Sequence, residues 1–191
     1  FAYIVYEPQK LPLAVHLLSD KTFKRVVVFC SSKLSVKQLT RELKRKRLQV
    51  DEIHSDLEQD KREEVLMAFK SGRLPILVAT DILSRGIDID NIDLVVNFDV
   101  PHDGEDYVHR IGRTARAEAD GTAYTLVGPK DQRKWAAIER LIEKSVTKGE
   151  VPEELGETPA YAPSAGSGGR GNGNRRGNFK PRRNGGPQPR S

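Results

Sequence analysis

The stretch RVVVFCSSKLSVKQLTRELKRKRLQVDEIH, residues 25–54, decides the fold. Its first part, VVVF at positions 26–29, is a continuous apolar run, which is typical of a strand buried on both faces of a parallel sheet. Residues 35–46 then place Val36, Leu39 and Leu43 at helical spacing, with Lys and Arg on the remaining face. A second short strand is predicted at 48–54. Strand, helix and strand in this order indicate a parallel βαβ unit.

The same alternation extends on both sides of this unit. Further strands are predicted at 1–6, 76–79, 94–98 and 122–127. Further helices are predicted at 11–18, 59–71, 106–116 (ending in a loop) and 130–145, and Gly72 is a natural helix stop. We therefore expect an α/β fold, an open parallel sheet with helices on both faces. Ligands of such sheets bind beyond the carboxyl ends of the strands.

Charge divides the chain into two parts. Residues 164–191 contain seven Lys or Arg and no Asp or Glu, so 25 of the 32 basic residues and all 27 acidic residues belong to 1–163. Residues 159–191 are rich in Gly, Pro, Asn, Ser and Arg and offer little apolar surface to bury. We expect one domain at 1–149 and a disordered basic tail at 150–191. The tail suits a polyanion such as RNA, and an inert solubilising tail is the alternative.

Composition also excludes some classes of site and location. Cys30 is the single cysteine, which excludes an internal disulfide and a multi-cysteine zinc site, and we expect it to be a small buried side chain. No apolar stretch approaches the roughly 20 residues that a membrane span needs. We expect no metal site on this chain, no membrane contact and a cytoplasmic location.

An arginine cluster carries the strongest chemical signal. The segment YVHRIGRTAR, residues 107–116, places three arginines in seven residues around a glycine. The planar guanidinium group presents a fork of donors that matches phosphate oxygens, so the cluster indicates a polyphosphate ligand. A solvated basic turn is the alternative.

Residues 109–116 of this segment resemble motif VI of the DEAD-box ATP-dependent RNA helicases, His-Arg-Ile-Gly-Arg-Thr-Gly-Arg. Ala115 is the one departure, where the family has Gly. The resemblance implies a RecA-like helicase C-terminal domain in which Arg113 and Arg116 bind ATP and act as catalytic arginine fingers. It also places His109 and Arg110 among the motif residues facing the partner domain.

Two further segments resemble helicase motifs in the expected order. ATDILSRGIDI, residues 79–89, is similar to motif V, and the resemblance implies that Thr80, Arg85 and Gly86 contact the RNA backbone and that Asp88 reaches the ATP ribose. A helix cap is the alternative for Asp81. VVVFCSSK, residues 26–33, resembles motif IV and implies an RNA contact at Ser32, whose alternative role is to cap the following helix.

Two shorter segments complete the resemblance. HSDLEQDKR, residues 54–62, resembles the motif called IVa through Gln59 and Arg62, with Ser55 in place of the usual Gly. NFDVP, residues 97–101, resembles Asn-Tyr-Asp-x-Pro, where the Asp is expected to order the domain interface. Residues 51–54 also spell Asp-Glu-x-His, but no phosphate loop precedes them, so we do not interpret them as a nucleotide site.

The resemblance covers roughly residues 1–146 and implies an RNA-dependent ATPase. The phosphate loop, the Asp-Glu-Ala-Asp box and the Ser-Ala-Thr motif are missing from the sequence, and the family carries them on an N-terminal RecA-like domain. ATP with Mg²⁺ is the expected cofactor, with the Mg²⁺ ligands on that other domain. The expected partners are RNA and that domain, and the isolated chain should be inactive. A DNA-translocating helicase and a non-enzymatic RNA-binding module are the rival interpretations.

Overall fold

A parallel sheet forms the centre of the molecule. The computed structural model describes residues 1–81, 89, 91–114 and 121–163. Within them the strands are β1 (Ala2–Ile4), β2 (Val26–Phe29), β3 (Val50–Ile53), β4 (Ile76–Ala79), β5 (Leu94–Asn97) and β6 (Thr122–Val127). Their order across the sheet is β1-β6-β5-β2-β4-β3, and each neighbouring pair is parallel. The predicted open parallel α/β sheet is confirmed.

In the described part of the chain, five α-helices cover the two faces of this sheet: α1 (Glu7–Leu18), α2 (Lys33–Arg45), α3 (Gln59–Lys70), α4 (Gly104–Ile111) and α5 (Gln132–Leu141). α1 and α2 pack on the face that includes Val26 and Val28. α3 packs on the opposite face, which includes Val27 and Phe29. α4 and α5 cover the β1 and β6 end of that same opposite face.

The apolar run of β2 is buried because both of its faces meet helices. All four residues of β2 are at most 3% exposed, which is the burial that the unbroken VVVF pattern predicts. β3, in contrast, lies at the edge of the sheet, and its middle residues Asp51 and Glu52 are only partly buried. The central strand β2 is therefore more deeply buried than the edge strand β3.

Three helices end at residues in the left-handed backbone region. Gly72 follows α3 with φ of 76°, as its predicted role as a helix stop requires. Arg47 after α2 and Glu143 after α5 take the same conformation, with φ of 60° and 52°. Glu143 is the reason that the helix predicted at 130–145 ends early, at Leu141. Its predicted start is also shifted, because Pro129–Asp131 forms a 3-10 turn before α5.

The packed region extends beyond the predicted boundary at Gly149. Gln9 on α1 donates hydrogen bonds to the carbonyl oxygens of Leu155 and Glu157, at 2.7 and 2.9 Å. Gln132 on α5 donates to the carbonyl oxygen of Ala160 at 2.8 Å and accepts from the backbone N–H of Ala162 at 2.7 Å. Residues 150–163 thus lie against α1 and α5, held mostly through backbone groups that an apolar pattern does not reveal. No helix in the described ranges is long and apolar enough to cross a membrane.

Candidate functional site

Polar residues follow several strands at the carboxyl edge of the sheet. Because all strands are parallel, their carboxyl ends meet at this one edge. Ser31 and Ser32 follow β2, Thr80 and Asp81 follow β4, and Asp99 lies two residues after β5. This edge therefore brings together Ser32 and Thr80, two of the residues predicted to contact RNA.

Arg110 ties this edge to α4 from inside the domain. It is 2% exposed, and its guanidinium carbon lies 5.0 Å from the centre of the Phe29 ring. Its Nη1 donates to Asn97 Oδ1 at 3.0 Å, and its Nη2 donates to Asp81 Oδ1. Asn97 in turn donates to Thr125 Oγ1 at 3.1 Å. Arg110 is thus an internal link between the ends of β4 and β5, and its burial does not fit the predicted position facing a partner domain.

Asp81 joins this buried network to the segment that follows β4. The sequence left a helix cap as its alternative role, and in the structure its carboxylate accepts the hydrogen bond from Arg110. Asp81 is the last described residue before the segment that contains Arg85, Gly86 and Asp88. Those three predicted site residues lie outside the described residues.

His109 and Arg113 occupy the end of α4, away from the buried Arg110. His109 is exposed on the last turn, and Gly112 caps the helix. Arg113 is partly buried, and its carbonyl oxygen accepts a hydrogen bond from the backbone N–H of Ile92, just before β5. Only Arg113 of the two predicted arginine fingers can be placed, because Arg116 lies outside the described residues.

Ser32 takes the capping role that the sequence left open. Its hydroxyl oxygen accepts a hydrogen bond from the backbone N–H of Ser35 at 3.1 Å, which begins α2. Ser32 is also exposed at the carboxyl edge, so an RNA contact stays a prediction. Thr80 lies at the same edge, and its buried Oγ1 has no hydrogen-bond partner among the described residues.

A buried lysine that the sequence analysis missed supports the segment after β2. Lys10 is 2% exposed, and its ammonium group lies 3.1 Å from Glu7 and 3.5 Å from Asp99. The other oxygen of Asp99 accepts hydrogen bonds from the backbone N–H and the hydroxyl of Ser31, at 2.7 and 2.8 Å. Asp99 therefore orders groups of its own domain. The i,i+3 spacing of Glu7 and Lys10 is visible in the sequence, but the burial of Lys10 is not.

The residues of the segment after β3 divide between buried and exposed positions. His54 is 5% exposed, and its Nδ1 accepts a hydrogen bond from the backbone N–H of Asp56 at 3.2 Å. Lys33 and Lys37 donate to Asp56 and hold the pKa of its carboxyl below the usual value. Gln59 is exposed and donates to Glu63 at 2.7 Å. Arg62 lies one turn from Gln59 along α3 and is partly buried.

Two other groups of potentially reactive or metal-binding side chains have structural roles in the fold. Burial raises the pKa of the Cys30 thiol, so this cysteine is an inert core residue, as its sequence position predicts. His102, Asp103 and Asp106 are the described residues whose ligand-type atoms lie close together. Asp103 already accepts the hydrogen bond that begins α4, from the backbone N–H of Asp106 at 2.9 Å.

The sheet order and the arginine-bearing helix α4 define a RecA-like helicase domain of the C-terminal type. Residues 9–118 match the family of the helicase conserved C-terminal domain. DEAD-box ATP-dependent RNA helicase 14 of Arabidopsis thaliana is 43% identical over 141 residues, which are 74% of this chain and 22% of that protein. The chain therefore belongs to the helicase C-terminal domain family and, within it, to the DEAD-box RNA helicases.

Solved structures agree with this assignment. The E. coli DEAD-box protein SrmB, solved with the regulator of ribonuclease activity A, superposes with a TM-score of 0.74 at 36% identity, over 83% of this chain and 95% of that chain. S. cerevisiae Dbp5 bound to RNA and ADP BeF3 superposes with a TM-score of 0.71 at 29% identity, over 77% of this chain and 39% of that chain. The chain thus spans a minor part of its longer relatives.

Proposed function

We propose that this chain is the C-terminal domain of an RNA-stimulated ATPase that unwinds short RNA duplexes. The observation that carries the proposal is the link from Arg110 to Asp81 and Asn97. It anchors the segment that carries Arg113 and Arg116 to the base of the segment that carries Arg85, Gly86 and Asp88. A change at the RNA side can therefore move the arginines, which is the coupling that an RNA-stimulated ATPase needs.

In this proposal the arginines act on ATP held by the N-terminal RecA-like domain. Arg113 and Arg116 extend from the end of α4 toward the γ-phosphate when the two domains close. Their guanidinium groups stabilise the charge that develops on the transferred phosphoryl group. Asp88 accepts a hydrogen bond from the ribose. The Dbp5 relative was solved with both RNA and ADP BeF3, which supports the assignment of RNA and a nucleotide as the two ligands.

The RNA track in this proposal runs along the carboxyl edge. Ser32, Thr80, Arg85 and Gly86 contact phosphates of one strand, whereas Gln59 and Arg62 on α3 belong with the motif residues that face the partner domain. Backbone contacts of this kind read no sequence, so the domain should accept many RNAs. The basic tail adds non-specific affinity through its seven cations.

Mg²⁺ belongs to the other domain in this proposal. Among the described residues, the one group of three close ligand-type side chains lies at the start of α4, where Asp103 serves as a helix cap. The residues of this chain thus position the phosphates of ATP, polarise them and exclude water. The ion that accompanies ATP supplies additional charge neutralisation when bound.

The test is ATP hydrolysis by the longer protein that contains this chain. Arg116→Lys keeps the positive charge but loses the planar fork, and removal of such an arginine costs about 10³–10⁵ in rate. We expect most RNA-stimulated hydrolysis to be lost while the melting temperature is unchanged. Arg41→Lys, at an exposed position of α2, is the matched control and should be fully active. Near-normal turnover of folded Arg116→Lys protein contradicts the arginine-finger assignment.

The nucleic acid is tested in the same assay. Single-stranded RNA and DNA of one sequence are compared as activators at equal concentration. Stimulation by RNA alone supports the proposal. Equal stimulation by DNA indicates a DNA-translocating enzyme, and binding without stimulation by either indicates a non-enzymatic RNA-binding module.

A further inference from the structure

A groove of about 750 Å³ lies on the outer side of α5, away from the site described above. Arg133 and Arg140 stand along the helix, Lys144 and Glu143 follow its end, and Pro163 closes the groove on the other side. We call this the α5 groove. Arg133 and Arg140 are seven residues apart, so they lie on one face of the helix about 10 Å apart. A second hollow of about 390 Å³, which includes Lys130, adjoins it at Arg133 and Pro163.

Positive charge in this groove is not neutralised. Arg133 and Lys144 form no ion pair among the described residues, and Arg140 donates only to the carbonyl oxygen of Ala136, at 3.3 Å. Glu139 also lines the groove, but Lys148 and Tyr161 already bind its carboxylate, at 2.7 and 2.5 Å. Burial opposes the shift, but these hydrogen bonds hold the pKa of Glu139 below its usual value.

One carboxylate, that of Glu143, thus stands against three cations in the α5 groove. Unpaired cations on one helix face attract a ligand that carries several phosphates in a row.

The chain is fixed at this groove just before the basic tail begins. Gln132 holds Ala160 and Ala162 through two hydrogen bonds, and Tyr161 is held by Glu139 and lies with its ring 4.3 Å from the ammonium group of Lys148. Pro163 directly follows these residues and lines the α5 groove, and residues 164–191 come next in the sequence. Their seven cations repel those of the groove, so the tail is not the occupant that the charges favour.

We propose that the α5 groove binds the phosphate backbone of single-stranded RNA and so forms a second RNA-binding surface. The inference rests on the proposed function for its choice of polyanion. Because the cations contact phosphates alone, this surface should bind RNA without sequence preference.

The experiment measures binding of a labelled 20-nucleotide oligouridylate to the 191-residue chain by fluorescence anisotropy, over a series of salt concentrations. The groove variant is Arg133→Glu with Lys144→Glu. The matched control is Lys21→Glu with Lys24→Glu, which changes the net charge equally at two exposed positions between α1 and β2. We expect the groove variant to bind several-fold more weakly than the control. Its log–log salt slope should be shallower by roughly 1 to 1.5, the loss of two phosphate contacts.

A gain of affinity provides the opposite test. Glu143→Gln removes the unpaired carboxylate without changing the left-handed backbone requirement at that position, so RNA binding should become about twofold tighter at low salt. Cross-linking of 4-thiouridine RNA should label peptides from residues 130–145. Equal losses in the groove and control variants, with no effect of Glu143→Gln, overturn the inference.

A failure of the α5-groove inference can be distinguished from a failure of the proposed function. In the longer protein, the groove variant should need a higher RNA concentration for half-maximal ATP hydrolysis than the control variant. If hydrolysis by the unaltered protein does not respond to RNA at all, the proposed function is wrong. If it responds and both variants have the same half-maximal RNA concentration, only the α5 groove is wrong.

Discussion

At the scale of a single side chain, burial gives Arg110 a structural role that differs from the role its sequence context predicts. It belongs to a segment whose composition indicates phosphate binding, yet it lies inside the domain and bonds Asp81 and Asn97. The neighbouring Asn97 is also fully buried, at the end of an otherwise apolar strand. A polar residue ending an apolar run is the signal in the sequence that points to such a network, since buried polar groups need partners.

We expect Arg110→Met to destabilise the fold by about 2–3 kcal/mol, because it leaves the buried Asn97 oxygen without its donor and removes the contact with Phe29. Urea unfolding followed by circular dichroism measures this. Arg41→Met at an exposed position of α2 is the control and should change stability by less than about 0.5 kcal/mol. A loss in Arg110→Met as small as in the control would mean that the network does not hold α4 in place.

Glu139 gives a prediction of pH dependence. Its folded-state pKa lies below the unfolded value, so the stability it contributes is present above an unfolded pKa of about 4.3 and is lost as the pH falls through the folded value. Glu139→Gln should therefore destabilise the protein at pH 7, by about 1–2 kcal/mol. The difference should shrink below about pH 4.

Thermal unfolding of wild type and variant across that pH range is the measurement. Glu150→Gln, at an exposed position, should show no such pH dependence. A difference between wild type and Glu139→Gln that is constant with pH would contradict the assignment of charged hydrogen bonds to Glu139.

At the scale of helices and strands, the backbone strain at helix ends differs from one helix to the next. Gly72 suits its left-handed position after α3, whereas Arg47 occupies the same kind of position after α2 with a side chain. A Cβ atom at Gly72 would meet no neighbouring atom within 4 Å, so a substitution there isolates the backbone effect.

We expect Gly72→Ala to lower stability and Arg47→Gly to raise it, each by about 0.5–1 kcal/mol. For a domain of this size, such changes move the melting temperature by about 1–4 °C, which calorimetry resolves. Ala137→Gly on the exposed face of α5 should instead be destabilising, because that position is helical. If Arg47→Gly and Ala137→Gly shift the melting temperature in the same direction, the backbone argument is wrong.

Apolar periodicity was sufficient to predict these elements but not their ends. The strands at 26–29 and 76–79 are predicted because burial on both faces produces unbroken apolar runs. The end of α5 was placed too late because Ile142 continues the apolar pattern while Glu143 turns the backbone out of the helix. Residues 150–163 were missed because side chains such as Gln9 and Gln132 bind their backbone, which leaves no periodic signal.

The position of the candidate site at one edge of the sheet can be predicted from the sequence more reliably than the contacts of its residues. Parallel strands bring Ser32, Thr80 and Asp81 to one edge, as the order of elements requires. The burial of Arg110 and Lys10 could not be predicted, because it depends on contacts between residues as far apart as Lys10 and Asp99. The roles in binding RNA or ATP stay predictions for Ser32, Thr80, Arg85, Gly86, Asp88, Arg113 and Arg116.

For the molecule as a whole, the proposal that two domains share the nucleotide site predicts that this chain alone does not hydrolyse ATP. The sequence contains no phosphate loop, so the 191-residue chain should not hydrolyse ATP at a measurable rate, with or without RNA. Release of phosphate at saturating RNA is the measurement, with the longer protein as the positive control. RNA-stimulated turnover by the chain alone would show that the nucleotide site is complete within it and would overturn the proposed two-domain arrangement.

The edge position of β1 has a consequence for synthesis on the ribosome. Among the described residues, β6 is the one named strand that pairs with β1, with Ala2 opposite Thr125, and Ala2 also forms an isolated bridge with Lys148. At about 5–20 residues per second, the ribosome needs roughly 6–25 s to make the intervening chain. During that interval the apolar side chains of β1 have no strand to join. The nascent chain should therefore expose the apolar β1 segment to cellular chaperones until β6 emerges.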